Sequence, residues 1–155
     1  MAVVLADLLH EEQVTLELRA RTRNEALREI IATMQNDENL RDPERFLGEV
    51  RALEEVHTTF VGEGVAFPHT RTDLVAQIVL GIGRSREGIP FGDKGELAHL
   101  IFVIGVPRRL VNEYLVCVGM LARLTKDKTT RAKLIDATTP AELVGLLREG
   151  SLLLE

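Results

Sequence analysis

The chain has 155 residues, 45% of them hydrophobic and 28% charged, which is ordinary for a globular protein and long enough to bury a full core. Its 19 basic and 24 acidic residues leave a formal charge of −5 with no block of like charge, which argues against a broad nucleic-acid-binding face and makes a basic partner surface the easier complement. The single Cys117 excludes an intrachain disulfide, MAVVLADLLHEE lacks the basic start and long apolar core of a signal peptide, and no apolar run reaches bilayer-spanning length, so a cytoplasmic protein not embedded in a membrane is expected.

Val14 to Leu18 alternates apolar and polar residues and reads as a strand. Thr22-Arg23-Asn24-Glu25 has the capping-box pattern, and Ala26, Leu27, Ile30, Ile31 and Met34 follow at helical spacing, predicting a helix from about Arg23 to Gln35. Asp42-Pro43-Glu44 supplies an N-cap, a proline at the first helical position and an acidic first turn. Phe46, Leu47, Val50 and Leu53 then line one face of a helix running nearly to His57. Beyond it, Val65-Ala66-Phe67 reads as a strand stopped by Pro68, which fixes its own φ, lacks an N–H and pushes Phe67 toward extended geometry. His69 is thereby a ring presented at a strand end, fed by a loop in which Gly62 and Gly64 permit a tight turn and a close approach.

Val75 to Ile82 and Leu97 to Val106 are apolar, β-branched runs expected as core strands, and GRSREGIPFGDKGE between them has the composition of an exposed loop. Asn112 is placed to cap a helix whose residues Leu115 to Leu124 are apolar almost all round, which predicts burial on more than one side and makes Cys117 an inert core residue. Thr139-Pro140-Ala141-Glu142 begins a last amphipathic helix that Gly150 can end. With no repeat, low-complexity segment or linker, residues 1–155 are expected to form one α/β layered domain.

Several chemistries find no support. Gly62-Glu63-Gly64 is followed by Phe67-Pro68-His69 where a dinucleotide-binding helix should begin, and no phosphate-binding P-loop or HExxH occurs. His10, His57, His69 and His99 lack metal-ligand spacing, so neither metal nor cofactor is expected, and Ser85 and Ser151 lie in no nucleophile elbow. A lone histidine beside a glycine turn can itself be a nucleophile toward phosphorus, with backbone N–H groups, hydroxyls and guanidinium groups stabilising phosphoryl oxygens; Thr58, Thr59, Thr70 and Arg71 are near in sequence. On local chemistry alone a structural histidine fits as well.

The sequence resembles the type-2 enzyme IIA domains of the bacterial phosphoenolpyruvate-dependent sugar phosphotransferase system, the fructose, mannitol and nitrogen-regulatory class. The resemblance covers nearly the whole chain: Glu25-Ala26-Leu27, GEGVAFPH, VLGIGRSREGIPFGD, LIFVIGVP and LVCVGMLARLTKD, with Gly-x-Gly-Val-Ala-Phe-Pro-His the specific part. It implies a mixed β-sheet sandwiched between helices and a phosphoryl-accepting histidine at His69. One ring nitrogen would attack while a backbone carbonyl holds the other, in a surface crevice close to Tyr114. The donor implied is an HPr-like histidine phosphocarrier protein, and the recipient a IIB domain or a regulatory target protein; no nucleic-acid partner is implied.

The same resemblance exposes departures. Family members usually carry arginine in the Arg-Glu pair that closes the second helix, where this chain has Leu53-Glu54, and Arg51 is half a turn away. A second histidine usually opens the later apolar helix, where this chain has Tyr114, able to donate one hydrogen bond but unable to carry positive charge. Thr58-Thr59 resembles a Ser-Thr pair, although Phe60 stands where glycine is common; Glu63 matches an acidic position of some relatives, and Gly64 belongs to the glycine turn. Arg71, Arg108 and Arg109 are the candidates for replacing the missing charge, and His57 and His99 read as structural. Two functions follow: a phosphocarrier acting through His69, or a IIA-like regulatory module that binds a transporter or regulator and is phosphorylated weakly or not at all.

Overall fold

A computed structural model describes residues 4–154. Thr22 Oγ1 accepts the Glu25 N–H at 3.2 Å and starts α1 (Arg23–Ala32), which ends before the expected Gln35 because Thr33 turns its hydroxyl back onto the Ile30 carbonyl at 2.6 Å. Asp42 caps α2 (Pro43–Val56) through the Arg45 N–H at 3.2 Å. β1 is confined to Val14–Thr15, shorter than the alternation predicts.

The remaining strands are β2 (Phe60–Gly62), β3 (Val65–Ala66), β4 (His69–Arg71), β5 (Val79–Pro90) and β6 (Leu97–Val106). β5 and β6 form the long antiparallel centre. β1 lies parallel beside β5, and on the other side β6 is flanked by β3, which carries β2 antiparallel. β3 and β4 share that flank of β6, pairing Val65 and Ala66 with Leu100 and Ile101, then His69, Thr70 and Arg71 with Ile104, Gly105 and Val106. They amount to one edge broken at Phe67-Pro68, where proline has no donor to offer.

Alternation splits this mixed sheet into two cores. Ala66, Val79, Ile101 and Val103 face α1 and α2 through Leu27, Ile30, Phe46 and Val50. Val65, Phe67, Leu80, Ile82, Phe102 and Ile104 face the other way, against α3 (Val111–Lys126), α4 (Lys128–Asp136), α5 (Pro140–Leu154) and the short turn Leu5–Leu8.

Several expectations need correction. GRSREGIPFGDKGE is an exposed turn only at its end, over residues 92–96. β5 runs through it to Pro90, and Arg84, Ser85, Ile89 and Phe91 are buried. Arg84 is 1% exposed because its guanidinium is consumed by carbonyls: Nε donates to Leu16 at 2.8 Å and Nη1 to Ile135 and Ala137, the latter at 2.7 Å. Val75 to Ile78 precede the strand, with Val75 bridging to Leu40. Asn112 does not cap α3. Pro107 opens a turn over Arg108–Leu110 that runs directly into the helix. Nor is α3 buried on several sides, since Leu115 and Val116 are exposed while Tyr114, Cys117, Leu121 and Leu124 pack inward. Gly150 lies within α5 rather than ending it; a Cβ there would meet Leu124 Cδ2 at 2.5 Å, so this glycine serves the close approach of α3 and α5.

Candidate functional site

The break between β3 and β4 sets the site. Ile104 donates its N–H to the Pro68 carbonyl at 2.9 Å, which anchors the chain immediately before His69 at the start of β4. Strand alternation then separates neighbours. The buried Thr70 points to the α2 side, with its hydroxyl 3.4 Å from Glu49 Oε1, whereas His69 turns its ring toward α3.

His69 Nδ1 lies 2.9 Å from the Phe67 carbonyl oxygen. A carbonyl can only accept, so Nδ1 carries the proton in the neutral ring and Nε2 retains the lone pair. Phe67 is fixed in turn by stacking on Phe102, with ring centroids 5.4 Å apart. The imidazole packs against Tyr114 at a centroid separation of 5.4 Å and a tilt of 34°. Tyr114 is 9% exposed, and burial pushes its phenol above the ordinary tyrosine range, so it is a neutral hydroxyl through physiological pH.

His69 and Tyr114 share a cleft of about 440 Å³ with the end of α2 and the segment leading into β2. Leu53, Val61, Phe67 and Val118 make its walls largely apolar. Thr58 and Thr59 line it as well, but both hydroxyls are engaged: Thr58 Oγ1 donates to Glu54 Oε2 at 3.0 Å and Thr59 Oγ1 to Glu54 Oε1 at 2.8 Å. The Thr59 N–H adds a third bond to Oε2 at 2.7 Å. Glu54 is 1% exposed, so these donors are what makes its burial tolerable.

The other predicted support residues are dispersed. Glu63, at φ 55°, pairs with Arg131 at 3.2 Å, and Gly64, at φ 75°, lies against His99, whose Nδ1 bonds the Ser85 carbonyl at 2.9 Å. Glu63 and Gly64 therefore shape the β2–β3 turn and His99 is structural. Arg71 is exposed on β4, two residues beyond His69 on the same face. Arg108 pairs with Asp73 at 3.5 Å and Arg109 donates to the Ala76 carbonyl at 2.8 Å, which directs both toward the segment before β5 and not into the cleft lining. Sequence reasoning missed two residues. Glu54 organises both threonines, a role signalled only by its spacing of four and five residues from them, and His57, set aside as structural, lines the cleft itself.

The family model described as "Phosphoenolpyruvate-dependent sugar phosphotransferase system, EIIA 2" matches residues 7–150. The chain belongs to this EIIA family. Among curated relatives, the fructose-specific EIIABC component of Bacillus subtilis is 23% identical over 94% of this chain; the chain spans only 23% of that larger protein. In fold, this EIIA chain is similar to the nitrogen regulatory protein IIA-Ntr of Neisseria meningitidis, with a TM-score of 0.84, 24% identity and coverage of 92% of this chain and 98% of that one. It is also similar to a chain in the complex of enzyme IIA mannitol and phosphorylated enzyme IIB mannitol of Escherichia coli, with a TM-score of 0.78, 24% identity and coverage of 91% and 97%. Among the described residues of this EIIA chain no helix is long and apolar enough to cross a membrane.

Proposed function

We propose that residues 1–155 act as one cytoplasmic EIIA unit and that His69 is its phosphoryl-accepting residue. The observation that carries this reading is the 2.9 Å contact between His69 Nδ1 and the Phe67 carbonyl, which leaves Nε2 as the nucleophilic nitrogen of a ring set in a cleft. In the transfer, the Nε2 lone pair attacks the phosphorus of a phosphohistidine on an HPr-like carrier. The new N–P bond forms as the donor's N–P bond breaks, and that electron pair returns to the donor ring. The phosphorylated His69 ring keeps its Nδ1 proton and becomes cationic, so the Phe67 carbonyl holds the ring and favours the charge it gains. Positioning and charge compensation carry such a step, because the protein supplies little covalent chemistry. The phosphoryl group then passes to a IIB partner, the assembly named for the mannitol protein of similar fold.

A second reading has its own observation. The position that family resemblance assigns to arginine is Leu53, 46% exposed, and the position assigned to a second histidine is Tyr114. A module of this fold that binds a transporter or regulator and takes up phosphate slowly would tolerate both replacements.

Incubation with a histidine phosphocarrier protein charged from ³²P-phosphoenolpyruvate separates the two. The carrier reading predicts stoichiometric label that is abolished by His69→Ala, retained by His99→Ala and discharged by an added IIB domain. Absence of label on the folded wild-type protein at any donor concentration would leave the regulatory reading standing alone.

A further inference from the structure

The cleft around His69 must accommodate a group bearing close to two negative charges, and its lining shows which side chains are available to meet it. Leu53 and Val61 offer none. Thr58 and Thr59 have committed their hydroxyl protons to Glu54. Tyr114 has one hydroxyl and no charge. Among the described residues no lysine or arginine is in the lining: Arg108 is drawn to Asp73, Arg109 to Ala76, Arg131 to Glu63 and the Thr125 carbonyl, and Arg71, on the His69 face of β4, is exposed outside the lining. Besides His69 itself, one lining side chain is able to carry positive charge: His57.

Its position in the fold accounts for this. His57 is the C-cap of α2, and its N–H donates to the Leu53 carbonyl at 2.9 Å, so it sits one helical turn beyond Leu53. Both line the cleft. A cation missing from position 53 is therefore available from position 57, which lines the same cleft.

We propose that His57 contacts the phosphoryl group during transfer, donating a ring N–H to its oxygens and supplying the charge that Leu53 cannot. The inference rests on the carrier reading of His69. It leaves the bond changes as given above: His57 neither gains nor loses the phosphoryl group, and its N–H···O bond strengthens as charge is handed between the two rings.

The test measures single-turnover uptake of label from the charged phosphocarrier protein over a range of donor concentrations, for wild type, His57→Ala, His57→Lys, and His57→Ala combined with Leu53→Arg, each checked for folding by circular dichroism. We expect His57→Ala to lower the limiting rate about tenfold to a hundredfold at an unchanged half-saturating donor concentration, corresponding to loss of one charge-assisted hydrogen bond. His57→Lys and the Leu53→Arg combination should each recover most of that rate, because either returns a cation to the same cleft. If His57→Ala matches wild type within twofold, if only half-saturation changes, or if neither cation restores the limiting rate, His57 does not serve the phosphoryl group. Should wild type itself take up no label, the carrier reading fails and this inference with it; labelling of wild type and His57→Ala at equal rates removes the inference alone.

Discussion

Glu54 ties the end of α2 to the chain entering the cleft. Its carboxylate takes three hydrogen bonds from Thr58 and Thr59 while 1% exposed, so Glu54→Ala leaves two buried-side hydroxyls and an N–H without their acceptor. It should cost about 2–4 kcal/mol in urea unfolding, with Glu54→Gln intermediate, since an amide oxygen can keep part of the set. A loss below about 0.5 kcal/mol would mean that water replaces these bonds freely. Cys117 supplies a second check: burial first, then the Asp7 and Glu113 carboxylates, push its thiol up from 9.0 to about 11. The folded chain resists thiolate formation, so this group leaves stability intact below about pH 9 and withdraws it as pH climbs through about 11. At pH 8 the thiol should react with a disulfide reagent about a hundredfold more slowly than an unperturbed cysteine, and rapid labelling of the folded protein would contradict its burial. At this scale the sequence is legible where covalent geometry acts locally. Pro68 stops a strand and presents His69 whatever else happens, whereas the role of Glu54 depends on where a helix ends and on two hydroxyls turning inward.

Elements were legible where their cap and their buried face agreed, and misread where a single residue served the fold from a distance. Thr22, Asp42 and Thr139 each accept the N–H three residues on, at 3.2, 3.2 and 3.0 Å, and the helices they begin follow the apolar periodicity. α4 is not legible in the sequence, because Leu134 is its one fully buried side chain and no apolar stripe results; Asp127 caps it through Thr130 at 2.9 Å. The β5 extension was hidden by Arg84, whose charge reads as surface in sequence but whose donors are shared among three carbonyls from two distant segments. Arg84→Met keeps the apolar stem and removes every donor. The variant should lose about 3 kcal/mol or more against thermal unfolding, because the Leu16, Ile135 and Ala137 carbonyls remain near it without their partner. Arg84→Lys should recover only part of this, since one ammonium cannot reproduce the planar fork. An Arg84→Met protein as stable as wild type would show that the guanidinium contributes nothing to joining β5 with the end of α4.

On the scale of the whole molecule, the sheet divides the labour between its faces. The α1–α2 core holds the sheet rigid and sets the end of α2, while the other face receives α3 and with it Tyr114. His69 sits where the two meet, on an edge broken by Pro68, so a rigid scaffold aims one ring into a cleft without burying it. The resemblance to the family made this architecture readable and singled out His69 as the candidate histidine. The place of His57 in the cleft lining was not readable from it, since that depends on which side chains the fold brings together in space. We propose that His69 is phosphorylated on Nε2 because the Phe67 carbonyl holds Nδ1. Nitrogen and phosphorus NMR of the ¹⁵N-histidine-labelled protein, charged from phosphorylated carrier and with His69 assigned by substitution, tests it most directly. Phosphorus coupling to His69 Nε2 with the Nδ1 proton retained is expected; coupling to Nδ1, or to a ring other than His69, would contradict this assignment.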